Sequence, residues 1–117
     1  MTLITQAQTT HRIANYQAQM LRIANEEPTI DFIPVVKLFT PDAQCTWLLT
    51  ELGPDDIAYG LSDLNMGCPE VGLISMRALR EYRGPLGLPL ECDQHFRANR
   101  SLYTYVAEAR ATGRLVL

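Results

Sequence analysis

Lysine is almost missing from this chain: Lys37 is the single lysine among ten basic residues in 117, and no Lys or Arg follows it until Arg77. With a net charge of −3 and a pI near 5.3, that shortage excludes the broad basic footprint of a domain that grips nucleic-acid phosphates directly. Cysteine is scarce as well. Cys45, Cys68 and Cys92 are odd in number, far apart and free of any C-x-x-C pair, which excludes a disulfide framework and leaves reduced thiols as the simplest state. No apolar run approaches the roughly 18 residues of a membrane span. The opening Met1-Thr2-Leu3-Ile4-Thr5-Gln6 lacks the basic and apolar regions of a signal peptide, so a cytoplasmic protein without membrane contact is expected. Repeats, low-complexity tracts and long linkers are missing too. A single domain over residues 1–117 follows, and 47% hydrophobic residues suffice for a packed core.

What is present reads as an α+β domain. Thr5-x-x-Gln8 has the form of a capping box, and Ile13, Tyr16, Met20 and Ile23 then recur three or four residues apart, predicting an amphipathic N-terminal helix. Residues 32–39 form a dense apolar run, with Pro34 placing it at a strand start or an edge. Thr40-Pro41-Asp42-Ala43 is a turn signal that folds the next run, 45–52, back antiparallel. Gly53-Pro54-Asp55-Asp56 is a second turn, which makes 57–61 a third strand of a meander. Further on, 71–74 reads as a strand, Ser75 as the cap of a short helix over 76–83, and Leu88-Pro89-Leu90 as an edge or extended segment. Ser101 caps a last helix that ends at Gly113 and carries the apolar stripe Leu102, Tyr105, Val106 and Ala109. The expected architecture is therefore an antiparallel sheet of about three to five strands, with an N-terminal, a short middle and a C-terminal helix packed on it.

Charge is informative only when position is kept. Residues 1–37 balance. Asp42, Glu51, Asp55, Asp56, Asp63 and Glu70 then give the middle of the chain a charge of −6, and the part from Arg77 onward carries an excess of three arginines over acids. If the acidic turns cluster at the ends of a meander, these six residues form a recognition face for a basic partner surface and mimic nucleic-acid phosphates. The plainer alternative is a set of solvated faces. Arg77, Arg80 and Arg83 fall near helical spacing, which suits an anion-binding fork.

A catalytic signature is harder to find. Cys92-Asp93-Gln94-His95 is the only place where thiol, carboxylate and imidazole lie close in sequence, and working pairs are assembled across a fold. His11 has Asn15, not a ligand, four residues on. Gly67-Cys68-Pro69-Glu70-Val71-Gly72 lacks the G-K-[ST] of a phosphate loop and serves to turn the chain. No catalytic residue, metal site or cofactor is expected.

The run Pro34-Val-Val-Lys-Leu-Phe-Thr-Pro-Asp42, then Thr46-Trp-Leu-Leu-Thr-Glu-Leu52, Ala58-Tyr-Gly-Leu-Ser-Asp-Leu64, Pro69-Glu-Val-Gly72, Arg83-Gly-Pro-Leu-Gly-Leu-Pro89 and Glu91-Cys-Asp-Gln-His-Phe96 resembles the bacterial family catalogued as domain of unknown function 2958. The resemblance covers nearly the whole chain. It implies a small protein of plasmids and integrative conjugative elements, and it implies no enzymatic activity or cofactor. Together with the charge pattern it leads to an expected function: a non-enzymatic mobile-element accessory protein. Its acidic face would bind a nucleic-acid-binding protein of a host defence complex, as an anti-CRISPR or antirestriction inhibitor does. Two alternatives stand beside it. One is a conjugation or plasmid-maintenance module that binds a protein partner through exposed apolar residues such as Trp47 or Tyr59, and the other is a small cysteine-dependent enzyme using Cys92 and His95.

Overall fold

A computed structural model describes residues 3–117. The chain runs α1 (Gln6–Ala24), β1 (Val36–Phe39), β2 (Thr46–Leu52), β3 (Ile57–Asp63), β4 (Glu70–Ser75), α2 (Met76–Glu81), β5 (Glu91–Cys92) and α3 (Leu102–Thr112). The strands form one antiparallel sheet in the order β4-β3-β2-β1-β5. Short turns force consecutive strands to be neighbours, so the first four make a meander, and β5 is added beside β1. The fold is α+β, with the three expected helices.

The turns close as their residues dictate. The Cys45 amide donates to Thr40 Oγ1 at 2.9 Å, and Thr40 N donates back to Cys45 O at 3.1 Å. Between β2 and β3, Pro54–Asp56 makes a 3-10 turn in which Asp55 and Asp56 sit at φ 61° and 60°. Aspartate tolerates that left-handed region better than most residues because its short side chain bonds locally.

β2 carries a bulge. Pairing runs from Leu49↔Gly60 to Glu51↔Tyr59, leaving Thr50 as the extra residue, with its hydroxyl on Tyr59 O at 3.3 Å. Side chains alternate between faces along a strand, so the bulge reverses the phase. Leu52 lands on the face of Trp47 and Leu49, and Glu51 is turned to the other. One face packs Val36, Leu38, Trp47, Leu49, Leu52 and Ala58 against Met76 and Leu79 of α2, with Leu3 and Ile4 alongside. The opposite face packs Leu48 and Leu61 against Leu102, Tyr105 and Val106 of α3, with Tyr59, Val71 and Leu115 around them. The apolar stripe of α3 is buried in full, and Gly113 ends the helix at φ 80°.

α1 departs from expectation. Its capping box forms as predicted, Thr5 Oγ1 accepting from Gln8 N and Gln8 Oε1 from Thr5 N. The expected stripe is only partly turned inward, however: Tyr16 is half-buried against Gly53, but Ile13, Met20 and Ile23 are 39%, 38% and 53% exposed, while the buried residues are Arg12 and Gln19. Polar bonding replaces apolar burial on this inner face. Asn15 Nδ2 donates to Thr50 O at 3.0 Å, and Gln19 makes a reciprocal pair with Ile30, its Nε2 donating to the carbonyl and its Oε1 accepting from the amide, both at 2.8 Å. Three boundaries also shift by two residues or more, β3 running to Asp63 rather than residue 61. β1 starts at Val36 rather than residue 32, although Val35 N already donates to Leu49 O. α2 stops at Glu81 rather than 83, because Tyr82 turns extended to meet Trp47 edge-on at 5.4 Å and Arg83 bridges to Pro89.

Gly60 tests this geometry. A Cβ there would lie 2.0 Å from the carbonyl oxygen of Leu48 and 3.0 Å from Leu49 Cα, both backbone atoms of the neighbouring strand. Gly60→Ala should therefore cost about 3 kcal/mol or more in urea unfolding. A loss within roughly 0.5 kcal/mol, the range of an ordinary surface change, would contradict the close approach at the bulge.

Candidate binding surfaces

The structure divides the six acidic residues instead of gathering them. β2 and β3 are each seven residues long, so the two ends of the sheet lie about 20 Å apart. Asp42, Asp63 and Glu70 fall at one end, and Glu51, Asp55 and Asp56 at the other. Three of them are tied to other parts of the fold and a fourth is buried. Asp63 is buried and accepts from Asn65 N at 2.9 Å and Leu115 N at 2.7 Å. Asp42 accepts from Leu86 N at 2.8 Å and so ties the 84–87 turn to the first hairpin. Glu51 is buried, and Asp56 is paired with Arg80. Asp55 and Glu70 are left exposed, with no ion pair among the described residues.

The arginines expected to form a fork are also occupied. Arg80 holds Asp56, Arg77 reaches Glu81 at 3.3 Å, and Arg83 donates to the carbonyls of Arg80 and Tyr82. Trp47 is only 3% exposed and belongs to the core, so it offers nothing to a partner. Tyr59 is different: it lines an open cleft.

That cleft, of about 410 Å³, lies where the second half of α1, residues 29–32 and the start of α3 meet β3 and β4. Its walls are mostly apolar, with Met20, Ile23, Ile57 and Leu73 beside the rings of Tyr59 and Tyr103, whose hydroxyls are hydrogen-bonded to each other. Residues 30–32 set its shape. Ile30 is held by Gln19, Asp31 Oδ1 accepts from Tyr103 N at 3.1 Å, and Phe32 O accepts from Leu102 N at 2.8 Å. Leu73, at 78% exposed, stands on β4, the outermost strand, whose far edge takes no backbone hydrogen bond among the described residues. An open strand edge beside an apolar hollow suits an added extended segment. Leu73 lay within an expected strand, but strand residues read alike whether they face a core or solvent.

Burial dominates the electrostatics of the cleft. It pushes the Glu51 carboxyl upward, with the Gln19 amide offsetting part of the effect. Burial, and then the hydrogen bond to Tyr103, also raise the Tyr59 phenol, which stays protonated at neutral pH. Neither group is tuned to act as a nucleophile. At the other candidate, burial raises the Cys92 thiol, and its described polar contact is the Gln8 amide at 3.9 Å. Asp93 is occupied with His95 N at 2.9 Å and Lys37 Nζ at 3.3 Å, which lower its pKa, and His95 itself is exposed. A thiol held protonated is a weak nucleophile. Among the described residues, no three His, Cys, Asp or Glu side chains converge as a metal site.

Two outcomes follow. Alkylation followed by mass spectrometry at neutral pH should modify exposed Cys68 first and leave Cys45 and Cys92 slow, whereas preferential labelling of Cys92 would indicate an activated thiol. For Glu51, a raised folded pKa means that the folded state holds the proton to higher pH than the unfolded chain does. Stability should therefore fall as pH rises from the ordinary carboxylate range through the folded value. Glu51→Gln should raise Tm at about pH 8 and lose that advantage by about pH 4, and a gain independent of pH would refute the assignment.

No helix among the described residues is long and apolar enough to cross a membrane. No curated protein and no solved structure matches the chain. A family model does match, over residues 3–116, and its description is protein of unknown function (DUF2958). The chain, matched over nearly its whole length, belongs to that family.

Proposed function

We propose that the chain is a non-enzymatic accessory protein that binds a partner protein, taking an extended apolar segment of it along the outer edge of β4. The observation that carries this reading is the continuity of that open edge with the apolar cleft through Leu73, which is 78% exposed and lines both. Edge pairing supplies main-chain hydrogen bonds, and the hollow beside Tyr59 and Tyr103 takes an apolar side chain of the partner. A rigid aromatic wall next to exposed aliphatic groups is the surface type in which binding energy concentrates. The setting suggested by the family resemblance is cytoplasmic action for a mobile element. Inhibition of a host defence complex through acidic mimicry has less support: of the six carboxylates, only Asp55 and Glu70 are exposed and unengaged, and they lie at opposite ends of the sheet.

Salt separates the two readings. The tagged protein should retain its partner from host lysate at about 1 M NaCl, where exposed charge pairs are screened beyond roughly 3 Å. Leu73→Asp should abolish retention, while the double variant Asp55→Lys with Glu70→Lys keeps it. Leu73 is exposed enough for the first variant to fold. Loss of the partner at high salt and in the double variant, with Leu73→Asp still binding, would overturn the proposal in favour of acidic mimicry.

A further inference from the structure

A second hollow, of about 690 Å³, opens on the other face of the sheet, between the first half of α1, α2 and the segment that leads into β5. Arg12 lies in its wall and is 2% exposed. A buried guanidinium ordinarily has a carboxylate to neutralise it and acceptors for its five N–H groups. Arg12 has neither among the described residues. It takes part in no ion pair, its Nε has no hydrogen-bond partner, and the described contact of the side chain is Nη1 to the thioether of Met76 at 3.7 Å, a weak acceptor. Burial lowers its pKa, as it does for a cation without a counter-charge, and Asp56 opposes that only from a distance, being itself bonded to Arg80. An apolar residue of similar volume would fill the position without the desolvation cost.

From this geometry we infer that the hollow is a binding site for a small organic acid, whose carboxylate pairs with Arg12 and whose apolar body lies against Leu52, Met76, Leu79 and Leu90. The charges at the site select the ligand class. Arg80 and Asp56 cancel each other at the rim and Glu91 adds a negative charge, so one uncompensated cation faces a mildly acidic opening. A single carboxylate fits that balance and the planar fork of the guanidinium, whereas a dianionic phosphate would need a second free cation, and the other arginine of the lining, Arg80, is already paired with Asp56. The apolar part of the wall favours an acid with a hydrocarbon body. This site lies across the sheet from the cleft beside β4, and the inference does not depend on the protein-binding reading.

Titration by protein NMR with hexanoate, hexanamide and inorganic phosphate tests it. Hexanoate should shift the resonances of Leu52, Met76 and Leu79 saturably and bind at least about tenfold tighter than hexanamide, since one charge-assisted bidentate pair distinguishes them. Phosphate should leave these resonances unmoved. Arg12→Met should remove the preference for the acid while raising Tm, and Arg12→Lys should restore part of the preference. Equal binding of acid and amide by the unaltered protein overturns the site, as does no binding of hexanoate up to about 10 mM, near the weak end of measurable affinity. Binding of phosphate as tight as that of hexanoate overturns the ligand class. The comparison of acid with amide needs no variant, so it decides even if Arg12→Met fails to fold.

Discussion

The reciprocal pair between the Gln19 side chain and the Ile30 backbone is the join on which the rest of the molecule depends. A primary amide presents the same donor and acceptor as a peptide group, so at this point α1 is bonded to the following segment as one strand is to another. With Ile30 fixed, Asp31 and Phe32 reach the first turn of α3 and satisfy two of its amides, Tyr103 N and Leu102 N. One helix is thereby coupled to another through three residues of irregular backbone, and the hollow beside Tyr59 is the space that this arrangement leaves open.

The bulge at Thr50 divides the chemistry of the two faces. Without the phase change, Glu51 would enter the core around Met76 and Leu52 would leave it. With it, consecutive residues of β2 serve different hollows, Leu52 beside Arg12 and Glu51 beneath Tyr59. The tight contact at Gly60 lies beside the same distortion, Gly60 being the partner of Leu49 where the register shifts.

Much of the fold was legible in the sequence because its signals are local. The Thr5 capping box, the prolyl turn at residues 40–43, the Ser75 and Ser101 caps and the stripe on α3 each depend on residues within a few positions of one another. α1 was misread because its apolar residues have helical spacing, yet the side facing the sheet is bonded through Asn15 and Gln19 to partners 35 and 11 residues away. Periodicity does not register such distant polar bonds. The separation of the six acidic residues was illegible for a related reason: Asp63 and Asp42 look like free turn charges, and their roles appear only once Leu115 and Leu86 are seen to donate to them. Trp47 and Tyr59 read alike as exposed apolar candidates, although they sit on opposite faces of neighbouring strands and Trp47 is buried while Tyr59 lines the cleft.

The placement of Leu115 also bears on synthesis at the ribosome. Residues 3 and 4 reach the face covered by α2, whereas the opposite face waits for α3 and for Leu115, whose amide is held by Asp63. A nascent chain that has emerged as far as β4 presents a meander with Leu48 and Leu61 uncovered, a surface prone to sticking to other chains. Closure of that side comes only after residues 102–115 have left the exit tunnel. Until they emerge, Leu48 and Leu61 have nothing to bury against on that side of the sheet.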